Sequence, residues 1–84
     1  MDMLQIRYFT AVAETLNFRR AAKRLGISQS SVSRQISVLE QELETKLFIR
    51  TNRSVSLTDE GAALLPHAQD IVAAVESAEF LMER

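Results

Sequence analysis

Three features of the sequence predict a mainly α chain: three helices, a two-stranded hairpin and a long fourth helix. Apolar residues recur at helical spacing as far as Leu43, two short apolar runs flank a polar turn, and a heptad-like pattern fills the last third. The chain has 84 residues, 46% of them apolar, with two Gly, one Pro and no Cys. That is one small domain, too apolar to be disordered, with a core that a partner chain would help to complete. Without Cys there is no disulfide framework, thiolate metal site or thiol nucleophile, and a single His cannot build a His-rich metal site. The longest apolar runs, Ala62–Leu65 and Ile71–Val75, are far shorter than a bilayer span. Met1-Asp2-Met3 lacks the basic start of a signal peptide. The expectation is a cytoplasmic protein that does not engage a membrane.

The first helix is predicted from Gln5 to Leu16, with Phe9, Val12, Ala13 and Leu16 on one buried stripe. Asn17 suits the N-cap of a second helix, whose stripe is Phe18, Ala21, Ala22 and Leu25. Gly26 suits the left-handed position that ends it. Ser28 is the expected N-cap of a third helix through Leu43. Its apolar stripe is Val32, Ile36, Leu39 and Leu43, with Ser30, Ser33, Arg34, Ser37 and Gln41 opposite. Leu47-Phe48-Ile49-Arg50 and Val55-Ser56-Leu57 flank the turn Thr51-Asn52-Arg53-Ser54 and read as a hairpin that must lean on the helices.

Thr58 then caps the last helix, with Asp59 and Glu60 at its positive dipole end. Leu64, Ala68, Ile71, Val75, Ala78 and Met82 alternate steps of four and three, the a/d seam of a helix that packs on a partner. At about 1.5 Å per residue the segment 58–84 is roughly 40 Å long, more than so small a domain can cover. Pro66 predicts a kink near Ala62–Pro66. The chain thus divides into a 1–57 domain and a 58–84 linker and dimerisation helix.

Charge is segregated along the chain. Residues 1–56 carry nine basic and five acidic groups, whereas residues 57–84 carry one basic and six acidic groups. The first two-thirds can face an anion and the last third cannot. Ala22, Gly26 and Val32 stand at the spacing of a helix-turn-helix: a small residue for close helix approach, Gly for the sharp turn, and an apolar residue closing the angle. With the hairpin as a wing, the predicted architecture is a winged helix-turn-helix followed by a long dimerisation/linker helix.

The third helix would then lie in the major groove of double-stranded DNA, presenting Gln29, Ser30, Ser33 and Arg34, with no acid among them. Gln can bond adenine bidentately and Arg can bond guanine. The hydroxyls of Ser28, Ser30, Ser31 and Ser33 and the helix N-terminal amides suit phosphates. Glu40, Glu42 and Glu44 lie at the far end of the helix. Arg50 and Arg53 flank or occupy the turn, where a wing reaches phosphates or the minor groove. Of the cluster Arg19, Arg20, Lys23 and Arg24, only Arg20 is advanced as a contact, because charge runs are usually solvated faces. Phe9, Phe18 and Phe48 fall on apolar stripes and are expected in the core. His67 has neither a carboxylate at catalytic spacing nor a second metal ligand, and no cofactor loop or catalytic arrangement is present. Two functions are weighed: a dimeric, sequence-specific DNA-binding domain, and a winged-helix protein-interaction or oligomerisation module.

Taken together, these residues resemble the N-terminal domain of the LysR-type transcriptional regulators over essentially the whole chain. The matching runs are Phe9-Thr10-Ala11-Val12-Ala13-Glu14, Asn17-Phe18-Arg19-Arg20-Ala21-Ala22, Leu25-Gly26-Ile27-Ser28-Gln29, Val32-Ser33-Arg34-Gln35-Ile36, Leu39-Glu40, Leu47-Phe48-Ile49-Arg50 and Leu57-Thr58-Asp59-Glu60-Gly61. The resemblance implies a homodimer on an interrupted palindromic operator. It makes Gln29, Ser33 and Arg34 recognition-helix contacts to bases or phosphates, Arg53 the wing residue near the minor groove, Arg50 and Thr51 the start of the wing, and Arg20 a second-helix position near the backbone. Ser30 replaces a frequent Pro, so base preference is expected to differ there. Glu44 replaces a usual Gly; a left-handed cap is costly for Glu, so a reshaped exit from the third helix is expected. The family's C-terminal domain, typically two α/β lobes, is absent. The chain is therefore expected to be an excised DNA-binding domain, with a small-molecule effector only where that further domain exists.

Overall fold

The computed structural model describes residues 1–83. The elements run α1 (Met3–Thr15), α2 (Phe18–Leu25), α3 (Gln29–Leu43), β1 (Phe48–Arg50), β2 (Val55–Leu57) and α4 (Asp59–Met82). Three helices surround one core, and the antiparallel hairpin β1–β2, with Phe48 opposite Leu57 and Arg50 opposite Val55, closes one side of it. This is a winged helix-turn-helix extended by a long helix.

The caps explain where each helix starts. Asp2 and Gln5 form a capping box, the Gln5 N–H donating to Asp2 Oδ1 at 2.8 Å and the Asp2 N–H to Gln5 Oε1 at 3.0 Å. Helix α1 therefore begins at Met3, ahead of the start that apolar periodicity alone suggests. Asn17 caps α2, Ser28 caps α3 and Thr58 caps α4, each side-chain oxygen accepting a first-turn backbone N–H. Gly26 ends α2 at φ 71°. The Thr58 hydroxyl also donates to the Lys46 carbonyl at 2.7 Å, and its N–H donates to the Leu47 carbonyl at 3.0 Å. This joint fixes the start of α4 against the chain entering β1. Gly61 completes it, because a Cβ there would collide with the Leu47 carbonyl.

Phe9, Val12, Val32, Ile36, Leu39 and Leu47 are the fully buried large side chains. Phe48 packs against two other rings of the core, with Phe9 at 5.5 Å and Phe18 at 5.9 Å between centroids. Three expectations are corrected. Leu16 is not on the buried stripe: it ends α1 in the left-handed conformation, φ 51°, and is 44% exposed. Leu43 is exposed at the end of α3, and Glu40, 5% exposed, is buried one turn earlier. Glu44 does not reshape the exit from α3. It adopts the left-handed cap itself, φ 53°, its N–H shared between the Gln41 and Glu40 carbonyls.

Helix α4 runs unbroken through Pro66, whose missing N–H leaves the Ala62 carbonyl without its usual partner. Its first half packs on the rest of the chain: Ala68 is 1% exposed in the common core, and Leu64, Leu65 and Val72 pack against that core. Ala68 is therefore not available to a partner chain, and Leu64 is already half-covered by its own domain. The pattern at steps of three and four was read as one seam, but a straight helix drifts by about 20° per heptad, so such a row need not stay on one side. Of the predicted seam, Ile71, Ala78 and Met82 are exposed and Val75 is half-buried.

Candidate nucleic-acid interface

An open groove of about 440 Å³ lies between the start of α2, the N-terminal half of α3 and the wing. Gln29 and Ser33 line it from α3, Arg50, Thr51 and Arg53 from the wing, and Asn17, Phe18 and Arg19 from the α1–α2 corner. Among the described residues no acidic one lines it. Gln29, Ser30 and Arg34 are exposed on the first two turns of α3, as helical spacing from the Ser28 cap requires.

The cations sort into two groups. Arg24 pairs with Glu14 at 2.6 Å, Arg7 lies 3.8 Å from Glu76 and 3.9 Å from Glu79, and Lys46 lies 4.0 Å from Glu40. Among the described residues Arg19, Arg20, Lys23, Arg34, Arg50 and Arg53 form no ion pair. Glu76 and Glu79 of α4 thus draw Arg7, and the unpaired arginines border the groove or the exposed side of α2 and α3.

The hydroxyls have different duties. Ser28 Oγ accepts from the Ser31 N–H at 3.1 Å and donates to Ser31 Oγ at 2.8 Å, with Ser30 Oγ 3.2 Å away, so Ser28 and Ser31 mainly hold the turn. Thr51 Oγ1 accepts from the N–H groups of Arg53 and Ser54 at 3.2 and 3.0 Å, which shapes the wing tip and leaves the Arg53 side chain in solvent. Arg20 is exposed on α2, and its backbone N–H is spent on the Asn17 cap at 2.9 Å. Arg19, set aside in the sequence as part of a solvated run, is the α2 arginine that lines the groove. No sequence signal singles it out, because the wing comes beside the start of α2 only in the fold.

One residue that pattern reading missed sets the wing. The Glu40 carboxylate, grouped in the sequence with acids at the far end of α3, accepts the backbone N–H groups of Leu47 and Phe48 at 2.7 and 3.2 Å on Oε2. It ties the start of β1 to the last turn of α3 and so fixes how the wing leaves that helix. Among the described residues no His, Cys, Asp and Glu cluster could hold a metal ion, and no helix is long and apolar enough to cross a membrane.

The comparisons with known proteins agree with this fold. The model of the bacterial regulatory helix-turn-helix proteins of the lysR family matches residues 3–62. This chain belongs to the LysR family. LysR-type relatives include the HTH-type transcriptional regulator IlvR of Caulobacter vibrioides, 52% identical over 77 residues, which cover 92% of this chain and 26% of the relative. The uncharacterised regulator YnfL of Escherichia coli is 46% identical over all of this chain and 28% of its own length. The chain thus spans about a quarter of the length of these two relatives. Among solved structures, the BenM_DBD/catB site 1 DNA complex superimposes with a TM-score of 0.92 at 37% identity, covering 100% of this chain and 94% of that one. The oxidised form of Corynebacterium glutamicum OxyR gives a TM-score of 0.95 at 36% identity, covering 99% of this chain and 27% of that one. Both likenesses extend through the long helix as well as the winged domain.

Proposed function

We propose that this LysR-type domain binds an interrupted palindromic operator as a homodimer, with α3 in the major groove and the wing at residues 51–54 beside the minor groove. The observation that carries the reading is the groove bordered by unpaired arginines and free of acids, set between the polar face of α3 and the wing. Gln29, Ser30, Ser33 and Arg34 meet base edges or phosphates, Arg50 and Arg53 meet the backbone and minor groove, and Arg19 and Arg20 add phosphate contacts. That the structural neighbour BenM_DBD was solved in complex with catB site 1 DNA supports DNA binding by the shared fold. The exposed distal half of α4 joins two copies, and two recognition helices then read two half-sites. In longer LysR-type chains a further domain would place this contact under a small-molecule effector; the domain itself needs no cofactor and works in the cytoplasm.

The test is selection from a randomised duplex pool at near-physiological salt. Enrichment of two inverted half-sites at a fixed spacing is the expected result. Binding without enrichment, and with a linear loss of affinity against log salt, would leave only a non-specific phosphate contact. No binding at all would favour an interaction module.

A further inference from the structure

The guanidinium of Arg50 leaves the end of β1 and lies between two other elements. Its Cζ stands 4.1 Å from the centroid of the Phe18 ring on α2. One Nη donates to Ser33 Oγ on α3 at 2.8 Å. Both anchors are firm. Phe18 is buried and packs edge-on against Phe48, and the Arg50 backbone is paired with Val55 across the hairpin. The direction of the bond is set by chemistry, because a guanidinium has donors and no acceptor. A serine hydroxyl ordinarily offers one proton and two lone pairs, and can rotate to give either. Here a cation occupies a lone pair, and among the described residues no acceptor takes the proton. Polarisation by the cation also strengthens the O–H as a donor.

We infer that Arg50 fixes the polarity of Ser33, so that Ser33 reads the operator as a hydrogen-bond donor. The inference rests on the operator reading above and deepens it. The atom read is then a base-edge acceptor of the major groove: guanine O6 or N7, adenine N7 or thymine O4. The exocyclic amine of cytosine, a donor, is disfavoured, since it would have to use the one lone pair left on Oγ, beside a cation, and leave the hydroxyl proton without an acceptor. Arg50 acts here through Ser33 and is a positioning residue, distinct from the sequence-independent pull that its charge exerts on phosphates.

The experiment is the same duplex selection run in parallel on the parent chain, Ser33→Ala, Arg50→Met, the double variant and Arg50→Lys, with a melting curve for each. Ser33→Ala is expected to flatten the preference at one base pair of each half-site. Arg50→Met should admit cytosine at that same base pair, discrimination falling about tenfold, and the double variant should match Ser33→Ala there. Lysine keeps the charge but lacks the planar fork that stacks and donates at once. Arg50→Lys should therefore lose the discrimination while weakening binding to random duplexes less than Arg50→Met does, and it carries the test if Arg50→Met does not fold. Equal weakening on all sequences, with the preference intact in both Arg50 variants, makes Arg50 a phosphate contact and overturns the inference. So does a Ser33→Ala chain with unchanged base preferences, which places the hydroxyl on the DNA backbone. A parent chain that enriches no sequence overturns the operator reading itself, and this inference with it.

Discussion

The N-terminal face of α3 and the distal half of α4 are both exposed, and they differ in kind. The first presents Gln29, Ser30, Ser33 and Arg34, groups that water satisfies until a polar ligand replaces it. The second presents Phe80, Leu81 and Met82 at 77, 67 and 78% exposure, with Ile71 behind them. Apolar surface gains about 25 cal/mol for each Å² removed from water, so this face is stabilised by being covered and the α3 face is not. The near half of α4 shows what covering does, since Ala68 has found its partner within its own chain. The polar face selects its ligand by direction, and the apolar face selects by area.

The largest effect should come from charging the apolar face. Val75→Asp puts a carboxylate in the seam. It is expected to leave a monomer and to lower DNA affinity on the order of a hundredfold, because the second half-site is no longer tethered to the first. Light scattering and a binding titration check this, and an unchanged mass removes the seam from the account. A smaller and more selective effect is expected on the polar face. Arg34→Ala should cost about 1–3 kcal/mol on the selected operator and little on random duplexes. Equal loss on both would make Arg34 a phosphate contact and weaken the contrast between the two faces.

How much of this was legible in the sequence follows from what each feature depends on. Asn17, Gly26, Ser28 and Thr58 act within a turn of their own position, so local chemistry placed those caps correctly. The polar face of α3 was legible because helical spacing from Ser28 puts it opposite Val32, Ile36 and Leu39. Glu40 was not, because its partners are backbone N–H groups at Leu47 and Phe48, brought near only by the fold. Ala68 was misassigned for a related reason: apolar periodicity shows that a residue seeks cover and not which chain supplies it. The Asp2–Gln5 capping box is local and legible in residue type, but apolar spacing carries no trace of it.

A third expectation concerns the exit from α3, which sets the wing beside the polar face. Glu44 holds the left-handed conformation at φ 53° and also places a negative charge at the negative end of the helix. Glu44→Gly relieves both and should stabilise the domain by about 1 kcal/mol, part of the gain being offset by a more flexible unfolded chain. Urea denaturation measures it. No gain would mean that the surroundings of Glu44 already offset its strain.

The smallest effect is expected where the near half of α4 is held to α1 and α2. Glu14 on α1 accepts from Gln69 of α4 at 3.0 Å and from Arg24 of α2 at 2.6 Å. The hydrogen bond from Gln69 holds its carboxyl below the ordinary value; partial desolvation opposes this, and Arg24 adds to the lowering. A lowered folded-state value means that the ionised group contributes stability above the unfolded value of about 4.5 and loses it as pH falls through the lower, folded value. Glu14→Gln removes the titration, so the variant should be slightly less stable than the parent at pH 7, and the gap should close below pH 4.5. The bridge is half-exposed and screened by solvent, which keeps the gap small. Urea midpoints for both chains at pH 7 and pH 3 decide it. A gap that persists unchanged at pH 3 would mean that shape rather than charge holds α4 to α1 at this point, leaving the apolar packing around Ala68 and Val72 as what keeps the near half of α4 on its own domain.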